Sequence, residues 1–168
     1  MSEMTTSPAV APDHPLRSER VRDLVGLAAR LVLGGVVLVA GAVKILHPAQ
    51  SVLAVRGYQI LPYDVAVAVG HALPLLEMVV GVLLVLGFFT RPAAALGGLL
   101  MLAFITGISA AWARGISIDC GCFGGGGTIA AAQTQYPQEI ARDAGLLLCA
   151  AWLLVRPRTA YSLDRRLF

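Results

Sequence analysis

The chain has 168 residues, 57% of them apolar and 14% charged, with a formal net charge of +3 and a mean hydropathy of +0.76. Soluble domains are about 45–50% apolar and roughly 25% charged, so this composition excludes an ordinary soluble domain, and the length allows one domain. The pI of about 9.0 does not mark a nucleic-acid partner, because the arginines flank apolar runs and read as topology signals; three cysteines are too few for a disulfide scaffold.

In chain order, residues 1–20 are polar and carry Pro8, Pro12 and Pro15. They lack the apolar core of a signal peptide and read as a disordered cytoplasmic tail. A transmembrane domain is expected over 21–157, with its first span retained as an uncleaved anchor. That span covers 24–46 and stops before Pro48. Residues 47–63 read as a loop, and Asp64 as the N-cap of the second span, 65–89. Thr90-Arg91-Pro92 reads as a tight turn with proline starting the third span, 93–113. A glycine-rich loop over 114–138 holds Cys120 and Cys122, and a short fourth span covers 139–155. The predicted fold is therefore an all-α membrane protein, a four-helix transmembrane bundle with a Cys-Gly-Cys loop outside it. Residues 158–168 form a basic cytoplasmic tail.

Orientation follows from Lys and Arg in the short flanks. Arg17, Arg20, Arg22, Arg91, Arg156, Arg158, Arg165 and Arg166 fall on one side, and Lys44, Arg56, Arg114 and Arg142 on the other. The richer side is expected to be cytoplasmic. Both termini then lie inside the cell membrane and the cysteine loop outside, as an even number of spans requires.

The loop reads Ile118-Asp119-Cys120-Gly121-Cys122-Phe123-Gly124, followed by three more glycines. Gly121 lacks Cβ and permits the turn that lets the two sulfurs meet. A disulfide in so small a ring is strained, and strained exposed disulfides are the labile, exchanging ones. The glycine run lacks the Lys-Ser/Thr ending of a phosphate loop and reads as a flexible connection through which another protein reaches the sulfurs. A static structural disulfide stays open as an alternative. A metal site has little support, because a usual zinc site takes four ligands and only two thiols cluster here. Cys149, inside the fourth span, reads as a small buried hydrophobe.

Ionisable groups at membrane depth are costly and mark functional positions. At 1.5 Å per residue, Arg30 lies roughly 9 Å from the inner edge and Glu77 about 12 Å from it, so an Arg30–Glu77 ion pair is expected. Pro74 should free the carbonyl of Gly70 in the second span, beside His71. Lys44 and Arg142, near the outer mouth, are placed to favour a cysteine thiolate.

These residues carry a resemblance that covers about 24–155. Arg30, Gly41-Ala42-Val43-Lys44, Tyr58-Gln59-Ile60-Leu61-Pro62, Leu73-Pro74-Leu75-Leu76-Glu77 with Gly81, Arg114-Gly115, Cys120-Gly121-Cys122-Phe123-Gly124 and Arg142-Asp143 resemble the MauE-type branch of the DoxX-like membrane proteins, named for methylamine utilisation. The Cys-Gly-Cys-Phe-Gly loop followed by Arg-Asp opening the last helix is the most specific part. The resemblance implies a four-helix membrane protein tied to disulfide chemistry, with a thioredoxin-like partner outside the membrane. Membrane disulfide oxidases of the better-known kind carry two cysteine pairs, whereas this chain has one.

The function expected is therefore a membrane thiol–disulfide oxidoreductase, with Cys120 and Cys122 as the exchanging pair. Arg30, Lys44, Tyr58, His71, Glu77 and Arg142 are expected in support. Electrons would pass to a lipid quinone held near Glu77, His71 and Tyr58, a step that no motif marks. The alternative is a non-enzymatic assembly factor or anchor for a redox partner, with the cysteines fixing the loop. A solute transporter has little support, since the spans show no internal repeat.

Overall fold

The computed structural model describes residues 15–121, 125–128, 130 and 134–156. The parts of the expected tails at 1–14 and 157–168, and Cys122, lie outside the described residues. Among the described residues five helices form: α1 (Pro15–Leu46), α2 (Pro48–Gly57), α3 (Tyr63–Leu86), α4 (Thr90–Ala113) and α5 (Tyr136–Val155). Two short strands, β1 (Ile118–Asp119) and β2 (Gly127–Thr128), pair antiparallel, Ile118 opposite Thr128 and Asp119 opposite Gly127.

Among the described residues, three elements are long and apolar enough to cross a membrane: Glu19–Leu46 within α1, then α3 and α4. They overlap the segments expected at 24–46, 65–89 and 93–113. The chain is thus a multi-pass helical membrane protein. Helix α5, at the expected fourth span, is 20 residues long and holds Glu139, Arg142 and Asp143 in its first half. Those charges keep it out of that apolar set.

Two local expectations are corrected. The loop expected over 47–63 is mostly α2, because Pro48 both closes α1 and occupies the first turn of the next helix, where its fixed φ and missing N–H are tolerated. Asp64 is not the N-cap of α3; Pro62 holds that place and Asp64 lies in the first turn. At the opposite end, Gly87 (φ 68°) and Phe89 (φ 49°) turn the chain tightly into α4.

Helices α1 and α3 run antiparallel, with the C-terminal half of α1 packed closely on α3. Glycines set the register. A Cβ on Gly81 would lie 2.7 Å from the Leu38 backbone, one on Gly41 2.9 Å from Met78 N, and one on Gly34 2.8 Å from Leu84 Cβ. Small residues let membrane helices approach this closely. Helix α4 packs on α3 and α5, and α5 closes on α1. The neighbours around the bundle are thus α1, α3, α4 and α5 in turn, with α3 and α5 across a diagonal. Leu33, Val37, Val80, Leu84, Ala150 and Leu153 lie in the shared core. The outer faces of all four helices are apolar, with Val39, Val79, Leu99 and Leu148 exposed.

Candidate functional site

The end of the bundle where α1 stops and α3 begins also carries the β1–β2 hairpin, which leads from α4 into α5. The hairpin lies on α2. Its glycines make this seat. A Cβ on Gly126 would stand 2.7 Å from the carbonyl oxygen of Gln50 and 3.0 Å from Ala54 Cβ. Gly121 takes φ 66°, a left-handed conformation that glycine adopts without strain. The expectation of a loose connection is therefore corrected for the described part: Gly125 packs against Asp119 and Gly126 against Gln50 and Ala54, where side chains would collide, while Gly127 turns the chain with φ 101°.

Polar contacts brace the same end. Tyr58 Oη donates to the carbonyl of Cys120 at 3.1 Å. Gly121 N donates to Asp119 Oδ1 at 3.0 Å. Ile118 N donates to Tyr136 Oη at 2.9 Å, and that hydroxyl donates in turn to the carbonyl of Ile116. Arg114 donates to the carbonyls of Tyr58 and Gln59, where Gln59 turns the chain with φ 51°.

Cys120 is 9% exposed and belongs to a small core with Ile108, Ala111, Ile118 and Tyr136. Its side chain is hydrogen-bonded to the carboxyl of Glu139, in the first turn of α5. Cys120 Sγ and carboxylate oxygens of Asp119 and Glu139 all lie within 4.8 Å of one another. A carboxylate against a sulfur offers it a place to leave or collect a proton. Sequence reasoning missed Glu139. The signal was its position four residues before Asp143, which puts both acids on one face of α5, just past the cysteine loop.

The charged residues pair differently from expectation. Glu77 is bound by Lys44, Nζ to Oε1 at 2.6 Å, and both are buried. Lys44 also lies over the ring of Phe104, 5.1 Å from its centroid. The expected Arg30–Glu77 pair is corrected by the glycine register. Gly41 meets Pro74 and Met78, and Leu38 meets Gly81, so Glu77 is level with residues near 40. Arg30 lies about ten residues, roughly 15 Å, further along α1. It is 2% exposed there. Lys44 faces into the bundle, toward Glu77 and the ring of Phe104. Arg142 sends Nε and Nη2 to Asp143 Oδ1 at 2.9 and 2.8 Å.

Tyr58, His71 and Glu77 do not converge. Tyr58 is at the hairpin; His71 is exposed, with Nδ1 2.9 Å from the carbonyl of Val67 on its own helix; Glu77 is inside the bundle. The cavity beside Glu77 measures about 20 Å³, space for a water and not for a quinone ring. Tyr58, His71 and Glu77 therefore do not form one quinone site, and no electron step is assigned to a quinone. Cys149 is ten residues down α5 from Glu139 and packs against the main core, about 15 Å from the hairpin end by helix rise.

A bundle of apolar helices with a braced cysteine hairpin at one end defines a class of multi-pass membrane protein. The family model described as methylamine utilisation protein MauE matches residues 22–156, and the chain belongs to that family. No curated protein and no solved structure matches it.

Proposed function

We propose that the protein is a membrane thiol–disulfide exchange protein whose working pair is Cys120 and Cys122. The observation that carries this reading is the Cys120 side chain held against the carboxyl of Glu139 on a braced hairpin. In this reading α5 is the fourth crossing. Its 20 residues span about 30 Å, the thickness of a hydrocarbon core, and its exposed Leu148, Leu154 and Val155 continue the apolar outer face. Both tails are then cytoplasmic and the hairpin faces outward, into a compartment where disulfides persist. Placement within the broader DoxX-like group rests on the sequence segments quoted above.

The exchange partner is a thioredoxin-fold protein bearing a dithiol. Its thiolate attacks Cys122, because Cys120 is too enclosed for a visiting sulfur. The Cys120–Cys122 bond breaks and a mixed disulfide forms. Cys120 leaves as a thiolate and takes a proton from Glu139. The partner's second thiolate then attacks the partner's own sulfur in the mixed disulfide, which releases Cys122. Two electrons pass from the partner to this chain, and the reverse sequence returns them. Gly121 permits the turn that the cysteine pair requires.

A second reading has its own observation. The burial of Cys120 and its bracing by Tyr58 also suit a fixed bridge in a non-enzymatic anchor for a redox partner. Acid quenching and thiol alkylation of intact cells separate the two. Exchange predicts a mixed disulfide that accumulates in Cys120→Ser, where Cys122 has no resolving neighbour, and is absent from Cys122→Ser. A fixed bridge predicts no mixed disulfide in either variant and normal disulfide formation in exported proteins.

A further inference from the structure

Between α1, α3, α4 and α5 lies a cavity of about 20 Å³, lined by Val37, Ala40, Met101 and Phe104 and bordered by Glu77 and Asp143. Both acids are 1% exposed. Each spends one carboxylate oxygen on its cation: Oε1 of Glu77 on Lys44 and Oδ1 of Asp143 on Arg142. The second oxygens, Glu77 Oε2 and Asp143 Oδ2, are buried with no hydrogen-bond partner among the described residues. A buried acceptor left unmade is costly, and here two belong to residues that border one cavity.

The chemistry of the cavity wall selects what it can bind. Lys44, Glu77, Arg142 and Asp143 sum to zero charge when ionised, so a further cation would leave an excess buried charge. What the two oxygens lack is a pair of donors that carries no charge. Water supplies two, and a cavity of more than roughly 10–15 Å³ accommodates one.

We propose that this cavity is a binding site for one water molecule, which donates to Glu77 Oε2 and to Asp143 Oδ2 and so joins the two ion pairs across the α3–α5 diagonal. Four charges from three helices become one network. The network links the Glu77 carboxylate inside the bundle to Asp143, one helical turn from Glu139. The site holds whichever role Cys120 has, so it stands or falls apart from the exchange reaction.

The test is water-edited solid-state NMR on the full chain in lipid bilayers, with 13C in Asp, Glu and Leu. The readout is the early transfer from water protons to side-chain carbons. The carboxyl carbons of Glu77 and Asp143 should build up several-fold faster than the methyls of Leu33, a fully buried core residue. Ala40→Val, which extends a lining side chain by two carbons, should remove both signals together and leave that of Glu139. Should this variant fail to fold, the comparison with Leu33 in the unaltered chain decides alone. The proposal is overturned if both carboxyls build up as slowly as Leu33, if only one receives the transfer, or if folded Ala40→Val keeps both signals.

Discussion

Ser51 on α2 donates its hydroxyl to the carbonyl of Gly70 on α3 at 2.7 Å. That carbonyl is the one Pro74, four residues on, leaves without its helical donor. The short helix at the bundle mouth is thus fastened to the long one at the point where the proline opens it. Ser51→Ala should lower stability by about 1–3 kcal/mol, the cost of an unsatisfied buried acceptor. In a Pro74→Ala background residue 74 regains its N–H, and the same change should cost much less. Unfolding of the purified protein by denaturing detergent measures both.

The Lys44–Glu77 pair gives a second prediction. Removing one partner strands a buried charge, so Lys44→Met or Glu77→Gln should each cost about 3–5 kcal/mol. The double variant Lys44→Met/Glu77→Leu removes both charges and should be more stable than Lys44→Met alone. Arg30→Met should show no such coupling to Glu77. The four proteins in one unfolding series, with Arg30→Met combined with Glu77→Gln, make the check.

What the sequence disclosed, and what it withheld, follows from the range of each signal. Long apolar runs in α1, α3 and α4 are local and need no partner to be read. The segment around α2 mixes Val52, Leu53 and Val55 with Gln50, Ser51 and Arg56, and Pro48 looks the same whether it ends one helix or begins the next. The partner of Glu77 depended on the α1–α3 register, which Gly41 and Gly81 fix by close approach, and equal depth from helix ends is no substitute for register. The neighbourhood of Cys120 joins residues from α2, the hairpin and α5. Its cysteine was evident from the motif, while Glu139 was hidden among ordinary helix-opening residues.

The seat of the hairpin on α2 predicts a change in access. Gly126→Ala forces a Cβ against Gln50 and Ala54, and overpacking of this kind costs about 1–3 kcal/mol. It should loosen the hairpin and raise the alkylation rate of reduced Cys120 by about tenfold, since 1.4 kcal/mol is a factor of ten in an opening equilibrium. Gly35→Ala, where a Cβ meets nothing within 4 Å, should leave that rate unchanged. Mass spectrometry of timed alkylation reads both.

The fourth crossing has a direct test in topology. With α5 spanning the membrane, a reporter fused after Phe168 is cytoplasmic, and a membrane-impermeant label reaches an introduced cysteine at Thr128 from outside. Substituting Leu148 by Arg on the exposed face of α5 should cost about 2.5–3.5 kcal/mol of insertion free energy and reduce the fraction correctly inserted. Were α5 to lie outside the membrane, Leu148→Arg would be neutral and the reporter would face outward.

In the exchange reaction the sulfur beside Glu139 alternates between bonded and free states, taking a proton from that carboxyl on reduction and returning it on oxidation. The most direct measurement is the redox state of Cys120, trapped by acid and mass-tagged, while intact cells are reduced and then allowed to reoxidise. The wild-type population should move from thiol to disulfide and back, and a Glu139→Gln protein should fold normally but interconvert about 10²–10⁴-fold more slowly, the usual contribution of a positioned acid–base group. A Cys120 that stays in one state throughout, or a Glu139→Gln protein that interconverts at the wild-type rate, would contradict this exchange.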